Sequence, residues 1–164
     1  MENFIQLKKD NILRIGIKTA DGKETGEHLE FDMEDVELPL RLNECEAQHR
    51  KNINDLKMKV LLIDKKEDKK GKKILSWKEE EKIKLFKEFY EKEMESLDLF
   101  LGEGGTAKLL NGRKPYYSMY EDISDMLKPI LPLLKKSTDD IISKVKEKYA
   151  NVKEDVLEWD IQQK

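Results

Sequence analysis

The chain has 164 residues, enough for one domain whose core needs no covalent staple. Charged residues make up 41% and hydrophobic ones 38%, so a core forms only if the apolar residues are well patterned. Lys and Arg number 32 against 35 Asp and Glu, and the net charge of -3 offers no overall basic field for nucleic acid. The one cysteine, Cys45, excludes an internal disulfide. No apolar run resembles a signal peptide or approaches the roughly 18 residues of a membrane span. The expectation is a soluble, cytosolic protein.

Residues 1–34 read as a β-hairpin or meander. Leu13, Ile15 and Ile17 alternate with Arg14, Gly16 and Lys18, the period of a half-buried strand. Ala20-Asp21-Gly22-Lys23 is a turn signal, and Leu29 and Phe31 alternate on the return. Phe4, Ile5 and Leu7 make a candidate third strand. Two or three strands alone are marginal, so a helix or partner must cover their apolar face.

Residues 35–150 read as a helical body. Pro39 suits a first helical turn, and Leu42, Cys45, His49, Ile53, Leu56, Val60 and Ile63 recur at steps of three or four. Residues 64–73, "DKKEDKKGKK", contain no apolar residue and read as a solvated connector. Ser76 and Glu79 predict a capping box for a helix whose face carries Ile83, Phe86, Tyr90, Met94, Leu97 and Leu101, widened by Phe89 and Phe100. The two long helices predict an antiparallel hairpin.

Thr106 is the expected cap of a short helix ended by Gly112, and Ser118 with Glu121 predicts a second capping box. Pro129 and Pro132 predict a kink or stop, with a restart at Ser137 or Thr138. "EEE" at 79–81 and the pair Asp139-Asp140 suit electropositive first turns. The tail, 151–164, carries Val152, Val156, Leu157, Trp159 and Ile161 among charges, so it docks, adds a strand or meets a partner. The fold class expected is α+β, mainly α.

Gly102-Glu103-Gly104-Gly105-Thr106-Ala107 matches G-x-G-x-x-A, a dinucleotide-binding pattern. That pattern needs a buried strand before it and a long helix after it, whereas here a helix precedes it and the helix after it is cut short at Gly112. The glycines read instead as a joint, with Gly102 closing one helix through a positive φ. His28 and His49 lie on different elements and no ligand spacing for a metal is present. His49 reads as a partly buried structural residue and Cys45 as a small buried hydrophobe. No catalytic residue, cofactor or metal is expected.

"RKPYYSMY", residues 113–120, is the strongest candidate for protein contact. Arg and Tyr are typical of interface hot spots, which makes Arg113, Tyr116, Tyr117 and Tyr120, with Trp159 of the tail, candidate partner-binding residues. The competing reading has the tyrosine rings capping the core at a helix joint.

From Glu30 to about Leu134 the chain resembles the small tail-assembly chaperones of phages and prophages of Gram-positive bacteria. The resemblance lies in "EFDMEDVELPLRLNECEA", in "KLFKEFYEKEMESLDLFLGEGGTAKLLNGR" and in "ISDMLKPILPLL", and covers roughly two thirds of the chain. It implies a non-enzymatic assembly factor in the host bacterial cytoplasm. Such a factor binds the tape measure protein, and with it the tail tube protein, as a possible homo-oligomer, and engages neither nucleic acid nor membrane. The chain departs from the family in its N-terminal β segment and its Trp159-containing tail, which leaves open a structural tail or baseplate subunit. No residue-level site carries over.

Overall fold

The computed structural model describes residues 2–7, 10–71 and 74–150. They form an α+β arrangement dominated by helices, as the patterning predicts. β1 (Ile12–Lys18) pairs antiparallel with β2 (Glu24–Asp32), Leu13 opposite Phe31 and Ile15 opposite Leu29. Since side chains alternate across a strand, Leu13, Ile15, Ile17, Leu29 and Phe31 all face the core. Arg14 and Glu30 pair on the outer face at 3.2 Å. The turn closes through the Thr19 amide to the Lys23 carbonyl, 2.8 Å, with Gly22 at φ 86°.

The candidate third strand does not form. Residues 2–7 lie outside the sheet, and Phe4, Ile5 and Leu7 stand in solvent. Only Ile5 and Leu7 would share a face, too little burial to offset ordering at about 1–2 kcal/mol per residue.

α1 (Leu38–Asp64) has Pro39 in its first turn, where a missing amide hydrogen costs nothing. α2 (Trp77–Leu101) starts on the predicted capping box: the Glu79 amide donates to Ser76 Oγ at 3.2 Å, and the Ser76 amide donates to Glu79 Oε2 at 3.0 Å. Glu79 and Glu80 sit in its electropositive first turn. The helices run antiparallel, joined near the connector by Lys82 and Asp64 at 2.5 Å and further along by Asn52 and Glu93. Ile83, expected on the buried face, is exposed. At that end Ile63 is buried and the Lys82–Asp64 pair ties the two helices together. Residues 64–70 of the charged connector are exposed, as expected, and the Lys66 and Lys69 ammonium groups lie 5.8 and 5.6 Å from the Trp77 ring.

Three shorter helices complete the body, and their starts correct the sequence reading. α3 (Gly105–Leu110) begins after Gly104 in the left-handed conformation, not on a Thr106 cap; Asn111 at φ 47° and Gly112 at φ 83° end it. α4 (Met119–Leu127) comes after Ser118, but there is no capping box. Ser118 has ψ 21°, away from the extended backbone a cap needs, and its hydroxyl donates to Asp122 Oδ2 at 3.2 Å instead. α5 (Leu131–Lys148) begins with Pro132 in its first turn and not at Ser137 or Thr138, while Pro129 occupies the break after α4. Asp139 and Asp140 therefore lie inside α5, where Asp139 pairs with Lys135 at 2.8 Å.

The core joins these pieces. Phe31 of β2 meets Phe100 of α2 at 5.1 Å between ring centroids, and Met119, Ile123, Leu127, Ile130 and Leu134 close the cluster from the C-terminal side. Among the described residues, no helix is long and apolar enough to cross a membrane.

Candidate functional site

The glycine joint is built around Asp98, one turn before the end of α2. Its carboxylate accepts from the Thr106 amide at 2.8 Å, the Thr106 hydroxyl at 2.7 Å and the Gly104 amide at 3.2 Å. The chain thus supplies its own anion at the start of α3, and these donors are already engaged. Gly102, at φ 90° and ψ 164°, holds a conformation essentially reserved for glycine. Gly105 answers a different need: a Cβ there would lie 2.6 Å from the Leu101 Cβ and 3.5 Å from Leu29 Cδ2. The joint packs α3 tightly against α2 and β2.

Between α1 and α2 lies a polar cluster that the sequence reading missed. Glu93 and Ser96 are fully buried and Asn52 nearly so. Asn52 Nδ2 donates to Glu93 Oε1 at 2.9 Å and to Ser96 Oγ at 3.0 Å, and Gln48 Nε2 donates to Asn52 Oδ1 at 2.9 Å. The other Glu93 oxygen meets His49 Nδ1, and the His49 ring stacks flat on Tyr120 at 3.4 Å. No buried side-chain polar atom among the described residues lacks a partner. The available signal was spacing: Glu93 falls between Tyr90 and Leu97, and Asn52 between His49 and Leu56, all at steps of three or four.

Cys45 borders this cluster. Burial first, then the charges of Glu93 and Glu46, push its thiol up to about 11, so it remains a protonated, packed group. Burial, with Cys45 and Glu93 beside it, likewise raises the Tyr120 phenol. His28 stands apart on the outer face of the sheet, paired with Glu30. Among the described residues, no group of His, Cys, Asp and Glu is placed to hold a metal ion.

The structure divides the candidate contact residues. Tyr120 turns inward onto His49, half-buried. Tyr116 is half-buried: its hydroxyl donates to Asp122 Oδ2 at 2.8 Å and the Arg113 guanidinium stacks 3.7 Å above its ring. Tyr117 is 88% exposed, its carbonyl accepting from the Tyr90 hydroxyl at 3.1 Å. Arg113 and Tyr117 are thus the outward members. Trp159 lies outside the described residues.

A larger apolar surface lies elsewhere, between α5 and the segment linking β2 to α1. Leu134 is buried there and the Ser137 hydroxyl donates to the Met33 carbonyl, which fixes the first half of α5. Alongside α5, from Leu134 to Lys146, lies a groove of about 470 Å³. Met33 and Leu134 line it, with Val36 and Leu40 on one wall and Ile141, Ile142 and Val145 on the other. Val36 is 65% exposed, Leu40 59%, and Ile142 and Val145 47% each. An adjoining hollow of about 740 Å³ towards β1, which shares Met33, Ile141 and Val145 with the groove, carries Lys136, Lys144 and Lys148. Sequence reading placed Ile141, Ile142 and Val145 on a helix but left open which apolar residues stay exposed.

Comparison with known proteins finds no matching family model, no matching curated protein and no matching solved structure.

Proposed function

We propose that this chain is a tail-assembly chaperone that binds the tape measure protein and keeps it soluble while tail tube subunits assemble. The observation that carries the reading is the apolar groove beside α5, with Val36, Leu40, Ile142 and Val145 in reach of solvent. An apolar surface ringed by charge binds apolar segments while the rest of the molecule stays dispersed. The sequence resemblance from Glu30 to Leu134 supports the same reading. The outward Arg113 and Tyr117 offer a second point of contact.

Co-expression with the tape measure protein of the same phage tests it. The chain is expected to raise the soluble fraction of that protein, and Leu40→Asp with Ile142→Asp is expected to abolish the gain. A tape measure protein equally soluble without the chain overturns the proposal. Mass spectrometry of purified particles separates a chaperone, absent from them, from a structural tail or baseplate subunit.

A further inference from the structure

Among the described residues the sheet contains β1 and β2 alone, and β2 is the strand that packs on α2 and α3. The other edge of β1 is therefore open. In an antiparallel pair, successive residues turn their backbone groups alternately towards the partner strand and away from it. The phase is fixed here by the Met33 amide, which donates to the Asn11 carbonyl at 2.9 Å and so places Asn11, Leu13 and Ile15 in the bonded set. The N–H and C=O groups of Ile12, Arg14 and Gly16 point away from β2. Among the described residues no other backbone group reaches them. Two residues of strand rise about 6.8 Å, a spacing of donors and acceptors that another extended chain matches and a helix, bonded within itself, does not.

The flanks of this edge define the strand that fits. Leu13 and Ile15, on the core side, are only half-buried. Two hollows run along β1, the one of about 740 Å³ at Ile12 and Leu13 and another of about 150 Å³ from Ile15 to Lys18. Their helical walls carry Leu133, 51% exposed, and Met126, 56% exposed. Every second side chain of an added strand meets this apolar surface.

The outer face of the sheet is ordered by charge. Arg14 lies opposite Glu30 and Lys18 opposite Glu24, so β1 is the basic strand and β2 the acidic one. A strand added beyond β1 stands beside Arg14 and Lys18, where opposite charges stabilise and like charges destabilise. A second β1 would bring the same two cations against them, and cationic side chains on an edge guard against self-pairing. The larger hollow adds Lys136, Lys144 and Lys148 against Glu34 and Asp140, again an excess of positive charge.

We propose that the free edge of β1 is a strand-addition site for an extended acidic segment of a partner protein. Alternate residues of that segment are apolar, on the side of Leu13 and Ile15, and acidic, on the side of Arg14 and Lys18. The backbone groups of Ile12, Arg14 and Gly16 supply the hydrogen bonds, and the side chains supply the choice of sequence. The site is separate from the groove beside α5 and does not rest on the chaperone reading.

The probe is a peptide of about seven residues alternating Val and Glu, added to the full chain and followed by amide hydrogen exchange. In the free chain the Arg14 and Gly16 amides should exchange fast and those of Leu13 and Ile15 slowly. Saturating peptide should slow Arg14 and Gly16 several-fold. Gly16→Pro removes one outward donor and leaves the bonds to β2 in place, and a Cβ at Gly16 stands in open space. It should weaken the peptide several-fold with Leu13 and Ile15 still protected. Arg14→Glu should weaken the Val-Glu peptide and strengthen a Val-Lys peptide. The proposal is overturned if Arg14 and Gly16 are already protected in the dilute free chain, or if the peptide leaves their exchange unchanged. It is equally overturned if the Val-Lys peptide protects the parent chain as well as the Val-Glu peptide does, or if binding ignores both substitutions. Protection that appears without peptide as the chain is concentrated gives the edge to a second copy and also overturns it.

Discussion

Glu93 offers the sharpest test of how the helical hairpin is held. Its carboxylate is fully buried and is met by Asn52 at 2.9 Å and by His49. His49→Ala leaves it with Asn52 alone, and breaking a buried pair from one side costs about 3–5 kcal/mol because a charge stays uncompensated. Glu93→Gln removes that charge yet retains an acceptor for Asn52, and a neutral substitution of this kind costs about 1 kcal/mol. Adding Glu93→Gln to His49→Ala should therefore restore stability, by roughly 2 kcal/mol relative to His49→Ala alone. The lost stacking on Tyr120 cancels in that comparison, since both variants lack the imidazole. Urea denaturation of the parent, both single variants and the double variant measures it. His49→Ala should lower the thermal midpoint by roughly 6–20 °C, at about 2–4 °C per kcal/mol for a chain this size. A double variant less stable than His49→Ala would refute the reasoning, because the buried carboxylate would then not be the source of the loss.

The geometry also fixes three other outcomes. Asp98→Ala strips the acceptor from two amides and a hydroxyl, and should cost about 2–3 kcal/mol with faster hydrogen exchange at Gly104 and Thr106; unchanged exchange there would remove Asp98 as the anchor. Gly105→Ala places a Cβ 2.6 Å from that of Leu101 and should destabilise by about 1–3 kcal/mol in thermal melts, whereas Ala at a free helical position would stabilise. At pH 8 a thiol held up at about 11 is about one thousandth ionised, so Cys45 should alkylate roughly two orders of magnitude more slowly in the native chain than in denaturant. The same shift has a sign for stability. The folded value lies above the unfolded one, so this contribution is complete below about pH 9 and is lost as pH rises towards 11, which denaturation across that range would register.

Much of the fold was legible because it rests on period. The alternation of Leu13, Ile15 and Ile17 and the capping box at Ser76 and Glu79 are local signals, and their partners lie close by in sequence. Thr106 and Ser118 misled because the same side chains that cap helices also bond to nearby carboxylates, here Asp98 and Asp122. Ser137 looked like a helix start, yet its hydroxyl reaches Met33, 104 residues earlier, a contact that no local pattern announces. Glu93 was hidden by its charge: a carboxylate on an apolar stripe reads as an exception until its partners on the facing helix are seen. The groove was hidden for the opposite reason, since Ile141, Ile142 and Val145 share the spacing of buried residues and only packing decides what covers them.

The way the core is shared between the ends of the chain bears on how the protein is made. The strand pair and the helical hairpin each complete themselves from neighbours in sequence, so both are available early to a chain leaving the ribosome. Phe31, Phe100 and Leu101 are shielded together with Met119, Ile123 and Leu134, which are synthesised after them. From Leu101 to Leu134 is about 30 residues, a few seconds of translation at ~5–20 residues per second. During that interval the nascent chain carries an unsealed aromatic surface, and a stalled or truncated product ending before α4 would carry it permanently.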